Sequence, residues 1–161
     1  MYRAFKGGTG DFATIFEPTA STFAQSKTGY IEASVGTSAG VIPYTGYFAT
    51  KSYISKHKDI IQKFTNAIYK GQLWVQKHTD SEVANSIKSF FPGTDVNVIA
   101  STVKNYRGIQ AFATEPTVSE ESLNRLMDII QSYDPSLLKE RPPFNDIINN
   151  SFGENAIKNI K

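Results

Sequence analysis

The stretch Ser34–Thr50, SVGTSAGVIPYTGYFAT, decides how the rest of the chain is read. Gly36 and Gly40 loosen its first half. Ile42, Tyr44, Tyr47, Phe48 and Ala49 then make an aromatic, nearly continuous apolar run, and no charge falls between Glu32 and Lys51. Such a run reads as a strand covered on both faces. Pro43 is tolerated near its start, where a strand residue need not donate to the ladder. Upstream the pattern is strand–helix–strand, and downstream it is almost wholly helical. A strand at such a change of character is a candidate domain crossing.

Working back towards the N-terminus, KGGTG at Lys6–Gly10 marks a turn. It is a weak match to a phosphate loop, because Lys6 precedes the glycines and no GK[ST] follows. Asp11–Phe16 (DFATIF) reads as a short buried strand. Glu17-Pro18 opens a helix over TASTFAQS, since proline suits a first helical position, and Gly29 fits its stop. Tyr30–Ser34 is the next short strand. Strand, helix and strand at this spacing imply parallel pairing.

Towards the C-terminus, a short helix over 52–56 precedes the strongest helical pattern, Asp59–His78. Ile60, Ile61, Phe64, Ala67, Ile68, Gly71, Trp74 and Val75 keep the rhythm of one buried stripe, with Asp59 as cap. Further helices are expected over 81–91, capped by Thr79 or Asp80, and from Thr94 or Asp95 to Arg107. Another spans Glu120–Tyr133, with a capping box at Thr117-x-x-Glu120 and Leu123, Leu126, Met127, Ile129 and Ile130 turned inward. Phe144, Ile147, Ile148 and Phe152 give the tail enough apolar surface to dock.

Composition narrows the chemistry. Seventeen Lys and Arg against fifteen Asp and Glu leave a net charge of +2, too small and too evenly spread to suggest nucleic acid. Cysteine is absent, which removes disulfides, thiolate metal sites and a thiol nucleophile. His57 and His78 are the only histidines and sit beside lysines at helix ends, so a metal site is not expected and neither is a cofactor. Asn149-Asn150-Ser151 is a formal glycosylation triplet, a pattern frequent by chance. No basic start followed by an apolar core and cleavage site opens the sequence, so as written it carries no export signal.

Glu17 stands out. A carboxylate between an apolar strand and a helix start lies at the carboxyl end of a parallel strand, where open α/β sheets bind ligands. It equally caps the helix and complements its dipole. Spacing leaves both readings open. Thr19 and Ser21 at the same helix start offer donors to a polar or anionic ligand. Tyr44 and Tyr47 lie where a cleft would open. Nucleophile elbows, paired catalytic carboxylates and serine–histidine arrangements are not recognisable.

These residues, taken in order, resemble a family. GTGDFATIFEPTAS, the run GYIEASVGTSAGVIPYTGYFATKSYISKHKDIIQKFTNAIYKGQLWVQKH and the final PPFNDIINNSF are similar to the C-terminal half of an ABC-transporter substrate-binding protein. The group is the nitrate/sulfonate/taurine and thiamine-pyrimidine-precursor binding family. The resemblance implies an α/β fold, the C-terminal part of a two-lobed periplasmic-binding-protein-like architecture with incomplete lobes. Residues 1–41 would finish the second lobe. Residues 42–161 would supply the hinge-crossing strand and complete the first. It implies binding rather than catalysis, a small polar or anionic organic ligand, and permease and ATPase subunits as partners. It also implies an extracytoplasmic parent, held to the membrane only through a lipid anchor that this chain lacks; as written, the chain itself would be cytoplasmic or of unknown location. Glu17, Pro18 and Thr19 would lie on the cleft rim, and Ser34, Gly36, Tyr44 and Thr45 along the cleft and hinge. Two other classes share the plan. A transcriptional regulator's sensing domain would need a helix-turn-helix upstream, and a thiamine-pyrimidine biosynthesis enzyme would need histidine and metal chemistry.

Overall fold

The computed structural model describes residues 2–161. In chain order its helices are α1 (Tyr2–Lys6), α2 (Thr19–Gln25), α3 (Val35–Ala39), α4 (Lys51–Lys56), α5 (Lys58–Lys77), α6 (Asp80–Ile87), α7 (Val96–Gly108), α8 (Glu120–Tyr133), α9 (Phe144–Ile147) and α10 (Ser151–Asn159). The protein is helix-rich, and no strand forms among the described residues. The chain sorts into two units. One takes the residues up to Ser38 with Lys77–Phe112, and the other takes Ala39–Gln76 with Ala113–Lys161.

The first unit is built on α6 and α7. Asp95 caps α7, its carboxylate accepting from the Asn97 N–H at 2.7 Å. Val98, Ile99 and Val103 are buried, as are Val83 and Ala84 of α6, which packs on α7. Each such side chain contributes roughly 1.5–3 kcal/mol by leaving water. Of the two caps the sequence allows for α6, Thr79 is used. Its hydroxyl accepts from the Glu82 N–H while the Glu82 carboxylate accepts from the Thr79 N–H at 2.8 Å, a complete capping box. Arg107, at the end of α7, donates to the His78 carbonyl at 2.6 Å and lies 3.4 Å from the Asp80 carboxylate, fastening the start of α6.

α2 packs on α7, and its Phe23 is buried and stacked with Tyr2 and Phe5. The end of α2 corrects the sequence reading. Lys27 (φ 55), not Gly29, takes the left-handed position, and the N–H groups of Lys27 and Thr28 return to the Ala24 and Phe23 carbonyls in a Schellman arrangement. The glycines of KGGTG terminate α1, and the Gly7 and Gly8 N–H groups are spent on the Arg3, Ala4 and Phe5 carbonyls.

In the second unit the long helix α5 buries a different stripe from the one expected. Tyr69 is buried, with Ile61, Thr65, Ile68 and Gln72 half-buried beside it, whereas Ile60, Phe64 and Trp74 are 47%, 44% and 37% exposed. Apolar residues occupy two adjacent stripes of α5, so periodicity alone could not choose between them. The buried stripe is polar at intervals. Gln72 and Gln76, one turn apart, donate to the Glu115 and Thr114 carbonyls, and Gln62 donates to the Phe152 carbonyl at 3.0 Å. These amides hold the segment before α8 and the start of α10 against α5.

The same segment is gripped from α10. The Asn150 side chain makes a double bond pair with the Val118 N–H (3.0 Å) and carbonyl (2.8 Å), imitating a strand neighbour. A Cβ on Gly153 would strike the Pro116 carbonyl oxygen, so only glycine lets α10 come this close. α8 contributes Leu123 and Met127 to the core, as expected, but its cap is Ser119, whose hydroxyl accepts from the Ser122 N–H, and not Thr117. Ile129 is 39% exposed rather than inward.

The three expected strands are the main difference. Asp11–Phe16, Tyr30–Ser34 and Ile42–Thr50 run without regular structure apart from local turns and the start of α3 beyond Ser34. A helix satisfies its own backbone, whereas a strand needs a neighbour at every residue. Two short stretches in one unit make at best a marginal pair. Their large side chains are accordingly outside: Phe12 is 84% exposed, Tyr30 88% and Phe48 98%.

Candidate ligand-contact region

The sequence nominated Glu17, Pro18 and Thr19 on one hand and Ser34, Gly36, Tyr44 and Thr45 on the other. The structure places Glu17–Thr19 with Ser34 and Gly36 in the first unit, and Tyr44 and Thr45 in the second.

Glu17 is half-buried at the start of α2, before a cis Glu17–Pro18 bond. Its carboxylate accepts from the Ser21 N–H and hydroxyl, both at 2.9 Å, from the Asn105 amide at 2.6 Å and from the Thr102 hydroxyl at 3.4 Å. A carboxylate offers about four lone-pair directions, so these donors fill it. Helix capping by Glu17, one of the two readings left open, therefore has a geometric counterpart, and the cap reaches further than a cap does. Asn105 also donates to the Ser21 hydroxyl at 3.2 Å, closing a small network around buried Ser21 that ties α2 to α7.

Asn105 and Thr102 were not nominated from sequence. They stand one turn apart on α7, and with Ser101 they form a polar stripe beside the Val98, Ile99 and Val103 face. That stripe was the available signal: polar residues at helical spacing next to a core face imply a polar partner in the fold.

Around Glu17 a shallow recess of about 260 Å³ is lined by Tyr2, Thr14, Ile15, Phe16 and Thr19. With the Glu17 oxygens taken, its remaining polar groups are hydroxyls and main chain. Ser34 caps α3, its hydroxyl accepting from the Thr37 N–H at 3.3 Å. Gly36 is exposed, and a Cβ there would meet only ordinary contacts with Ser34 and Ile109.

In the second unit Tyr44 is 71% exposed and Thr45 is exposed, within a turn where the Tyr44 N–H donates to the Ile42 carbonyl. Gly40, at φ +74, starts this stretch, and Arg125 of α8 lies over it, donating to the Val41 carbonyl at 3.3 Å. Asn149, the glycosylation-type asparagine, accepts from the Ser151 N–H and hydroxyl and so begins α10.

Among the described residues, no cluster of three or more histidines or carboxylates is placed to hold a metal ion. None of the helices is long and apolar enough to cross a membrane.

Over 151 residues the chain is 35% identical to a protein of Bacillus subtilis (strain 168) named "Putative binding protein YtlA". The aligned region takes in 94% of this chain and 45% of that relative, so the chain spans under half the relative's length. No family model matches the chain, and no solved structure matches it.

Proposed function

We propose that the chain forms the C-terminal part of a solute-binding protein serving an ABC import system of the nitrate/sulfonate/taurine or thiamine-pyrimidine-precursor type. The observation that carries this reading is the similarity over 94% of the chain to a protein named for binding. The motif order GDF…EPT…PYT…LW…PPFND supports it independently. In this reading the protein binds its solute without transforming it, outside the cytoplasmic membrane, and delivers it to permease and ATPase subunits.

The solute is a small polar or anionic organic molecule. In the first unit Thr19 and Ser34 carry hydroxyls and Gly36 exposes its main chain, and in the second Tyr44 and Thr45 are exposed. Glu17 serves by holding Pro18 and Thr19 in place through α2 and α7, since its own oxygens are taken.

The test is calorimetry on this chain joined to the portion of the Bacillus relative that lies outside the aligned region. Nitrate, taurine, an alkanesulfonate and an aminopyrimidine are titrated in turn. Saturable one-to-one binding of one of them is expected. A folded joined protein that binds none of these would refute the reading.

A further inference from the structure

The network around Glu17 has a direction. Glu17 Oε2 accepts from the Ser21 N–H at 2.9 Å and from the Thr102 hydroxyl at 3.4 Å. Oε1 accepts from the Ser21 hydroxyl at 2.9 Å and from the Asn105 amide at 2.6 Å. The same amide reaches the Ser21 hydroxyl oxygen at 3.2 Å. Asn105 therefore holds both residues that flank Pro18 and Thr19, and it does so from α7, a helix with Val98, Ile99 and Val103 in the core. α2 has only seven residues, and its N-cap residue Pro18 makes no side-chain cap bond. So short a helix does not fix its own start, and the first-turn Ser21 N–H is held by the Glu17 carboxylate instead. Thr19 and Glu17 line the recess of about 260 Å³, and Asn105 is not among its lining residues.

We propose that Asn105 is a positioning residue for this recess: acting through Glu17 and Ser21, it sets where Pro18 and Thr19 stand and so how they meet a solute. The proposal rests on the solute-binding reading. Its chemistry requires a donor at position 105 opposite an acceptor at position 17. Asn105→Asp puts a second carboxylate where the amide now lies 2.6 Å from Glu17 Oε1, and like charges repel at that range. Adding Glu17→Gln exchanges the polarity of the pair. The glutamine amide takes the place of Oε1 and donates to the new carboxylate, while its oxygen keeps the Ser21 N–H and the Thr102 hydroxyl. The pair then carries the same total charge as in the natural protein.

The experiment compares N105D and the exchanged pair E17Q/N105D with the natural sequence, each in the protein joined to the unaligned part of the Bacillus relative. Nitrate, taurine, an alkanesulfonate and an aminopyrimidine are titrated by calorimetry at a temperature where all three are folded. N105D should weaken the probe that binds by at least about tenfold, and the exchanged pair should recover it to within about threefold. Hydrogen exchange without solute is read alongside. The Ser21 amide, and the Thr22 amide that donates to the Pro18 carbonyl, should exchange at least about tenfold faster in N105D and return in the pair. The Val103 amide of α7 should not move, which separates a displaced rim from a loosened unit. Should N105D fail to fold, N105A removes the donor without adding charge and should shift both readouts in the same direction. Natural affinity in N105D, or no recovery in the pair, would overturn the inference. If the natural sequence binds none of the probes, the transport reading falls and the exchange data decide alone: Ser21 and Thr22 amides unchanged in N105D would overturn the positioning role.

Discussion

At the scale of single residues, Glu17 ties α2 to α7. Its carboxylate receives Ser21, Thr102 and Asn105, and hydrogen bonds to a charged acceptor contribute about 1.5–3 kcal/mol each when made well. Glu17→Gln replaces one acceptor oxygen with a donor facing other donors. Thermal or urea unfolding should therefore show a loss of about 2 kcal/mol; an unchanged midpoint would show that the network contributes nothing. Glu82 gives a pH prediction. Hydrogen bonds from the Thr79 N–H, then from its hydroxyl, hold the Glu82 carboxyl below its ordinary value. A carboxyl depressed in the folded state contributes stability above its unfolded pKa and loses it as pH falls through the folded one. Melting measured down through the acid range should thus fall less steeply in Glu82→Gln than in the wild type. Parallel curves would exclude the capping box as a source of acid sensitivity. The caps of α6 and α7 were legible because Thr79 and Asp95 before an apolar period have a local mechanism, whereas α8 is capped by Ser119 and not by Thr117, and Asp59 falls within the first turn of α5. Asn105 was not legible, because its partner lies 88 positions away in sequence.

At the scale of elements, helices were readable and their orientation was not. The limits of α5, α7 and α8 agree with the sequence reading to within a residue or two, since caps and the 3.6-residue period are local properties. Which stripe of α5 turns inward depends on where Gln72, Gln76 and Gln62 find carbonyl partners, and no local pattern encodes that. Tyr69 is 8% exposed and Trp74 37%, so Tyr69→Ala should destabilise by about 3–4 kcal/mol and Trp74→Ala by clearly less. The reverse order in chemical denaturation would restore the stripe expected from periodicity. Gly153→Ala adds a methyl group against the Pro116 carbonyl oxygen. It should cost about 1–3 kcal/mol, an overpacking penalty, and loosen α10 before the rest of its unit. Exchange at α10 amides is the readout, and wild-type protection there would contradict the close approach.

At the scale of the whole molecule, the strand-like stretches Asp11–Phe16, Tyr30–Ser34 and Ile42–Thr50 run without regular structure. Their apolar runs were visible in the sequence. Whether they pair was not, because a strand is a property of its neighbours as much as of itself. Their exposed Phe12, Tyr30 and Phe48 have the chemistry of buried sheet residues in a place where no sheet has formed among the described residues. On the proposed function these are strand sequences whose neighbours lie in polypeptide corresponding to the rest of the Bacillus relative. Isotope-edited infrared spectroscopy tests this most directly, with this chain carbon-13 labelled and the unaligned part of the relative unlabelled. The labelled amide band of the chain alone should be helical, and it should gain a strand component when the two are joined; a labelled band that stays the same on joining would contradict the account.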